Sequence, residues 1–181
     1  MAALIRLVLL LGLLPAGGPA LAAQDAASEE QVKAVFLFNF AHFVDWPPAA
    51  FESSQPFVIG FVGGEEVVPL LEEAVRGEDR DGHSFQVRRA HSTAPGEPAH
   101  ILFIGRSQGD QLARLLAAPA RRGTLTVSDV PGAAQRGVMI ELVNDRNRLR
   151  LRINLAAARA AGLTISSNLL RPAEIVGGGG P

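Results

Sequence analysis

Residues Phe57–Val62 form an unbroken apolar run of strand length, closed on one side by Pro56 and on the other by Gly63-Gly64. A strand can be apolar at every position only when both of its faces are buried, which calls for layers above and below a sheet. Ala99–Ile104 reads as a second such strand. Each run leads through a glycine turn into a helical pattern, at about 65–76 and about 108–117, with Ser107 placed to cap the second. Pro69 lies inside the first pattern and shifts or kinks its start. Buried strands alternating with helices predict an α/β domain.

The remaining segments extend that reading. Ser28 and Gln31 have capping-box spacing ahead of a helix over Glu29–Val44, with Val32, Phe36, Phe40 and Phe43 as its core stripe. Asp45-Trp46-Pro47-Pro48 ends it. Ser84–Ala90 reads as a strand with Phe85, Val87 and Arg89 on one side, 91–98 as a loop, and Thr124–Ser128 as a short strand. Val138–Val143 and Arg148–Asn154 read as a hairpin. With Asp145 and Arg146 at the tip, Glu141 falls opposite Arg150 and Met139 opposite Arg152. Asn154 can cap a helix over 155–161 that Gly162 stops, and 163–167 is a candidate last strand. The fold class expected is a single-domain α/β sandwich with a mixed, mostly parallel sheet and helices on both faces.

Residues 1–23 stand apart. Arg6 precedes the apolar run Leu7–Leu14, Pro15 to Pro19 break any helix, and Ala20-Leu21-Ala22 supplies a cleavage pattern. These are the marks of a secretory signal peptide, and the run is shorter than the ~20 residues of a spanning helix. The expected division is a cleaved signal at 1–23, a loose stretch at 24–29, a domain at 30–175 and a disordered tail at 176–181. The chain has no Cys, so an exported domain would hold together by core burial without disulfides, and no thiolate metal site is available. Basic and acidic residues nearly balance, 17 against 18, so no field for nucleic acid exists. All the basic residues except Lys33 are Arg.

Candidate sites are few. Phe36, Phe38, Phe40, Phe43 and Trp46 crowd one segment. A helix apolar over most of its girth is either deeply buried or contacts something else, so these five are the candidate partner surface. Gly60–Gly64 resembles a phosphate turn, but Glu65 and Glu66 stand where the anion would sit, and the tight-turn reading is favoured. Gly105-Arg106-Ser107 is the better anion candidate, with Asp129 closing the next strand. Arg148, Arg150 and Arg152 share a strand face and are either a grip for an acidic group or a solvated row. His42, His83, His91 and His100 match no metal spacing, no nucleophile motif occurs, and neither a catalytic residue, a metal nor a cofactor is expected.

The stretches QVKAVFLFNFAHFVDWP, ILFIGRS, TVSDVPG and MIELVNDRNRLRLRINLAAARAAGLTISSNLL, in this order, resemble the YfiR family over about residues 30–175. The resemblance implies a periplasmic α/β protein that represses an inner-membrane signalling protein, a diguanylate cyclase or a kinase. It also implies homodimerisation and relief by an outer-membrane lipoprotein. Cyclic di-GMP, biofilm and adhesion would lie downstream. Because this chain has no Cys, disulfide control found in relatives cannot operate here. The alternative is a periplasmic sensor binding a small solute near Arg106, Ser107 and Asp129.

Overall fold

A computed structural model describes residues 27–51, 55–90, 99–117, 123–146 and 148–177. The export signal expected at 1–23 and the loop expected at 91–98 lie outside the described residues. Helix α1 (Glu29–Phe43) opens on the expected capping box, with Ser28 Oγ accepting from Gln31 N and Gln31 Oε1 accepting from Ser28 N. Strand β1 (Val44–Asp45) follows, then β2 (Phe57–Val62). A 3-10 turn at Glu65–Val67 leads to α2 (Val68–Ala74), so Pro69 falls in the first turn, where its missing N–H costs nothing. Strands β3 (Asp79–Arg80), β4 (His83–Arg89) and β5 (Ile101–Ile104) come next. Helix α3 (Leu112–Ala117) is entered through a 3-10 segment at Arg106–Gln111. The chain continues through β6 (Leu125–Ser128), β7 (Ile140–Asp145), β8 (Arg148–Asn154), α4 (Leu155–Ala160), β9 (Thr164–Ile165), α5 (Ser167–Leu170) and β10 (Glu174–Val176).

Among the described residues, eight strands form one mixed sheet in the order β10-β8-β7-β6-β5-β2-β4-β3, and β1 pairs with β9 in a separate ribbon. From β4 through β2, β5 and β6 to β7 the pairing is parallel throughout. That order is the 2-1-3-4-5 order of doubly wound sheets. Phe57, Ile59, Phe61, Ile101 and Phe103 pack on one face with α1, α2 and α4. Val62, Leu102 and Ile104 pack on the other with Leu112 and Leu115 of α3. Side chains alternate between these two layers, which is why the apolar runs are unbroken. The α/β class, the mixed sheet and helices on both faces are as expected.

Four local expectations change. The buried stripe of α1 is Lys33, Ala34, Leu37, Phe40 and Ala41 rather than Val32, Phe36, Phe40 and Phe43. Small Ala34 and Ala41 let the helix approach closely, and the bulkier Phe36 and Phe43 end half-buried on its flanks. The β7–β8 register is shifted by two. Asp145 pairs with Arg148, the tip moves to 146–147 with Arg146 at φ 52°, and Glu141 lies opposite Arg152 instead of Arg150. Ser107 is not a cap: Gly105 holds that position without a side-chain bond. Residue 176, expected in the tail, belongs to a strand, because Glu174–Val176 adds to the sheet parallel to β8, and 178–181 lie outside the described residues.

Candidate functional site

Ligands of doubly wound sheets sit beyond the carboxyl ends of the strands, where the order reverses. Here that point lies between β2 and β5, and it is sealed. A Cβ on Gly105 would stand 2.5 Å from the Gly64 nitrogen and 2.7 Å from the Gly63 carbonyl carbon. Gly63 and Gly64 both take positive φ, so neither turn can open to carry a side chain. Ser107 lies against Gly63, whose own Cβ would meet Ser107 Oγ at 2.6 Å. The turn at Gly60–Gly64 is therefore a packing turn, as the glutamates after it suggested.

One strand over, charge is concentrated. Ser128 Oγ donates to the Ile104 carbonyl at 2.7 Å and accepts from Val130 N at 3.1 Å, which turns the chain at Asp129. Lys33 Nζ reaches Asp129 Oδ2 at 2.7 Å and Glu29 Oε1 at 2.7 Å. Arg106 Nε donates to the Asp129 carbonyl at 3.3 Å, and its Nη2 lies 3.7 Å from Glu29 Oε1. The Asn144 amide donates to the other Glu29 oxygen. Lys33 is 3% exposed and Asp129 5%. Asp129 Oδ1 is buried and has no hydrogen-bond partner among the described residues. This cluster ties α1 to the ends of β5 and β6.

The charged forms are favoured. The hydrogen bond from Lys33 lowers the Glu29 carboxyl below its usual range against the opposing effect of burial, with Asn144 and Arg106 adding to it. For Lys33, burial is the largest influence and works against the charge. The hydrogen bonds to Asp129 and Glu29 outweigh it, and the ammonium is raised.

Beside this cluster lies a cavity of about 360 Å³ lined by Arg106, Asp129, Glu141, Asn144 and Arg152, among others. Glu141 is 2% exposed and accepts from Gly132 N at 2.8 Å and Ala134 N at 3.0 Å, so it pins the loop after β6. Arg152 Nη1 lies 3.6 Å from Glu141, and its Nε bonds Glu174 at 2.8 Å; that second bond is the main reason its guanidinium is raised further. Arg150 bonds Asp145 at 2.8 Å, while Arg148 is exposed. The arginine row is thus largely neutralised by its own carboxylates. Of the anion candidates, the structure brings Arg106, Asp129 and Arg152 to one cavity and leaves Ser107, Arg148 and Arg150 outside its lining.

The aromatic candidates divide as well. Phe40 is fully buried and Trp46 is 8% exposed, so these two serve the core, not a surface. Trp46 Nε1 donates to the His100 carbonyl at 3.3 Å, and the Arg80 guanidinium lies 4.8 Å above its ring and 5.3 Å from that of Phe51. Burial lowers Arg80 against the opposing pull of Asp81 and Asp45. His100 accepts from Val58 N at its Nδ1, so its Nε2 carries the proton and donates to the Ala50 carbonyl at 3.0 Å. Phe36, Phe38 and Phe43 are half-buried, Phe38 against Phe85 with ring centres 5.6 Å apart. The apolar side chain that α1 exposes most is Val35, at 52%.

Sequence reasoning missed Lys33, Glu29, Glu141 and Arg80 as site-building residues. Two signals were available: Lys33 is the only lysine, and it lies four residues after Glu29, which puts the pair on one helix face. Among the described residues no group of His, Asp and Glu could hold a metal ion, and no helix is long and apolar enough to cross a membrane.

No curated protein matches the chain. A family model described as YfiR/HmsC-like matches residues 30–174, from the first turn of α1 to the first residue of β10. The match takes in strands β2 to β8, the aromatic cluster and all of the charged cluster except Glu29, and the chain belongs to the YfiR/HmsC-like family.

Proposed function

We propose that the protein is a periplasmic regulator that binds and restrains an inner-membrane diguanylate cyclase, and so lowers cyclic di-GMP. The family match over residues 30–174 carries this reading. Its contact surface is the outer side of α1, where Val35 is exposed and Phe36 and Phe38 are partly so. Exposed apolar side chains on a helix are what a protein partner covers. The Lys33 cluster holds that helix rigid from behind, so binding costs little ordering. An outer-membrane lipoprotein that competes for the same surface would relieve the restraint. A photo-crosslinker placed at Val35 in living cells tests the assignment. It is expected to capture an inner-membrane protein with a periplasmic domain; capture of none, with crosslinks from α3 instead, contradicts it.

The cavity beside Asp129 favours a second reading, a sensor for a small solute. Arg106 and Arg152 offer donors to an anionic group. Binding to the native state alone would raise the melting temperature. A solute panel that shifts the wild type but not Arg106→Gln supports this role, and no shift with any solute removes it.

A further inference from the structure

Seven of the chain's 18 acidic residues fall within 65–81, against two arginines, so α2 and β3 form a negative corner on a nearly neutral chain. Neither arginine offsets it much. Arg76 Nη2 is taken by Glu73 at 2.7 Å, and Arg80 is turned in over the Trp46 and Phe51 rings. Among the described residues neither Glu72 nor Glu78 has an ion-pair partner. At this corner a cavity of about 420 Å³ lies between α2 and β4. Glu72, Glu78 and Asp79 line it together with apolar Val75, Phe85 and Val87. The three acids are exposed, and Phe85 and Val87 are half-buried.

The cavity continues the outer side of α1. Phe85 is the shared wall, with its ring centre 5.6 Å from that of Phe38 and 6.1 Å from that of His42. Phe38 and His42 meet edge to face at 5.0 Å, one turn apart, and Val35 lies one turn before Phe38 on the same helix face. Apolar surface therefore runs from Val35 through Phe38 and Phe85 to Val87 and ends among carboxylates. Phe85 and Val87 pack toward the α1 layer, whereas Ala90 and Ala99 pack in the α3 layer, so the cavity lies on the opposite face of the sheet from both. The stripe shelters an apolar side chain, and at its end three acids and the Phe85 ring attract a cation. An acidic segment is repelled there. A stripe that spans two elements and ends in charge fits a length of polypeptide better than a small ion.

We propose that the α2–β4 cavity receives a basic, apolar segment of the membrane partner, with a lysine or arginine among Glu72, Glu78 and Asp79 and a neighbouring apolar side chain on Phe38 and Phe85. This rests on the reading that the outer side of α1 binds that partner. Photo-crosslinkers in living cells test it, one at Val35 and one at Ser84, an exposed residue that lines the cavity. Both are expected to capture the same inner-membrane protein. The peptide joined to position 84 is expected to carry lysine or arginine beside an apolar residue. Glu72→Lys with Glu78→Lys is expected to lower the yield from position 35 by about fivefold or more. Asp110→Lys, an exposed acid outside the cavity lining, is expected to leave it within about twofold. Should the lysine pair fail to fold, Glu72→Gln with Glu78→Gln decides, with a smaller loss in the same direction. Capture from position 35 but none from 84, or an acidic peptide at 84, overturns the proposal and leaves the α1 reading standing. A yield indifferent to the charge changes does the same. Capture from neither position overturns both.

Discussion

Replacing Lys33 with methionine removes the charge at the centre of the cluster and keeps most of the side-chain volume. Lys33 and Asp129 expose only 4% and 5% of their side chains, so water screens little of their attraction. Taking one partner from such a buried pair costs about 3–5 kcal/mol, because the other is left charged and uncompensated. Asp129 has no donor to fall back on, since its Oδ1 is already without a partner among the described residues. Glu29 is 26% exposed, and its share is smaller, at most about 1 kcal/mol. Against a typical stability of about 5–15 kcal/mol, the loss is large. It corresponds to a drop of about 6–20 °C in melting temperature for a chain of this size. Urea denaturation should show a lower midpoint at an unchanged slope. Adding Asp129→Asn to Lys33→Met should recover more than half of the loss, because it removes the stranded charge. The pH dependence follows from the same groups. Glu29 is lowered, so its contribution is present above about pH 4.3 and is lost as pH falls through its folded value. Lys33 is raised, so its contribution is present below about pH 10.4 and is lost as pH rises through its folded value. Between about pH 5 and 10 the cluster's contribution is flat, and the alkaline loss disappears in Lys33→Met. A cost below about 1 kcal/mol, or no recovery on adding Asp129→Asn, refutes the reasoning.

Gly105→Ala drives a methyl into the backbone of Gly63 and Gly64 and should cost about 1–3 kcal/mol in thermal melts, whereas Gly109→Ala, with nothing nearer than Val130 at 3.6 Å, should stay within about 0.5 kcal/mol. Glu141→Ala strips the acceptor from Gly132 N and Ala134 N; about 1–3 kcal/mol should be lost, and amide exchange at these two residues should accelerate in NMR. Val35→Asp, at an exposed site, should leave stability within about 0.5 kcal/mol and abolish regulation in cells.

The layered fold was legible because two apolar strands, Phe57–Val62 and Ile101–Ile104, can be buried on both faces only inside an α/β sandwich. Caps read well where a short polar side chain meets a backbone donor, as at Ser28 and Asn154. Ser107 misled because its turn is governed by a long-range contact, the glycine seal with Gly63 and Gly64, which no local pattern records. The hairpin register was off by two for a related reason. Its tip is fixed by a positive φ at Arg146 and by the Glu141–Arg152 pair, not by the residues with the strongest turn preference. Strand β10 escaped notice because Glu174–Val176 is short, exposed and follows a proline, with only Ile175 and Val176 to suggest a strand. At the site, Asp129 and Arg106 were visible as strand-end residues. Lys33 was hidden in an apolar helix, where a buried cation makes sense only once its two carboxylates are in place.

The central claim is restraint of a membrane diguanylate cyclase, and intracellular cyclic di-GMP tests it most directly. Deleting the gene should raise the level, expression of the wild type should return it to normal, and expression of Val35→Asp should not. An unchanged level in the deletion strain, across growth conditions in which the protein is made, contradicts the account.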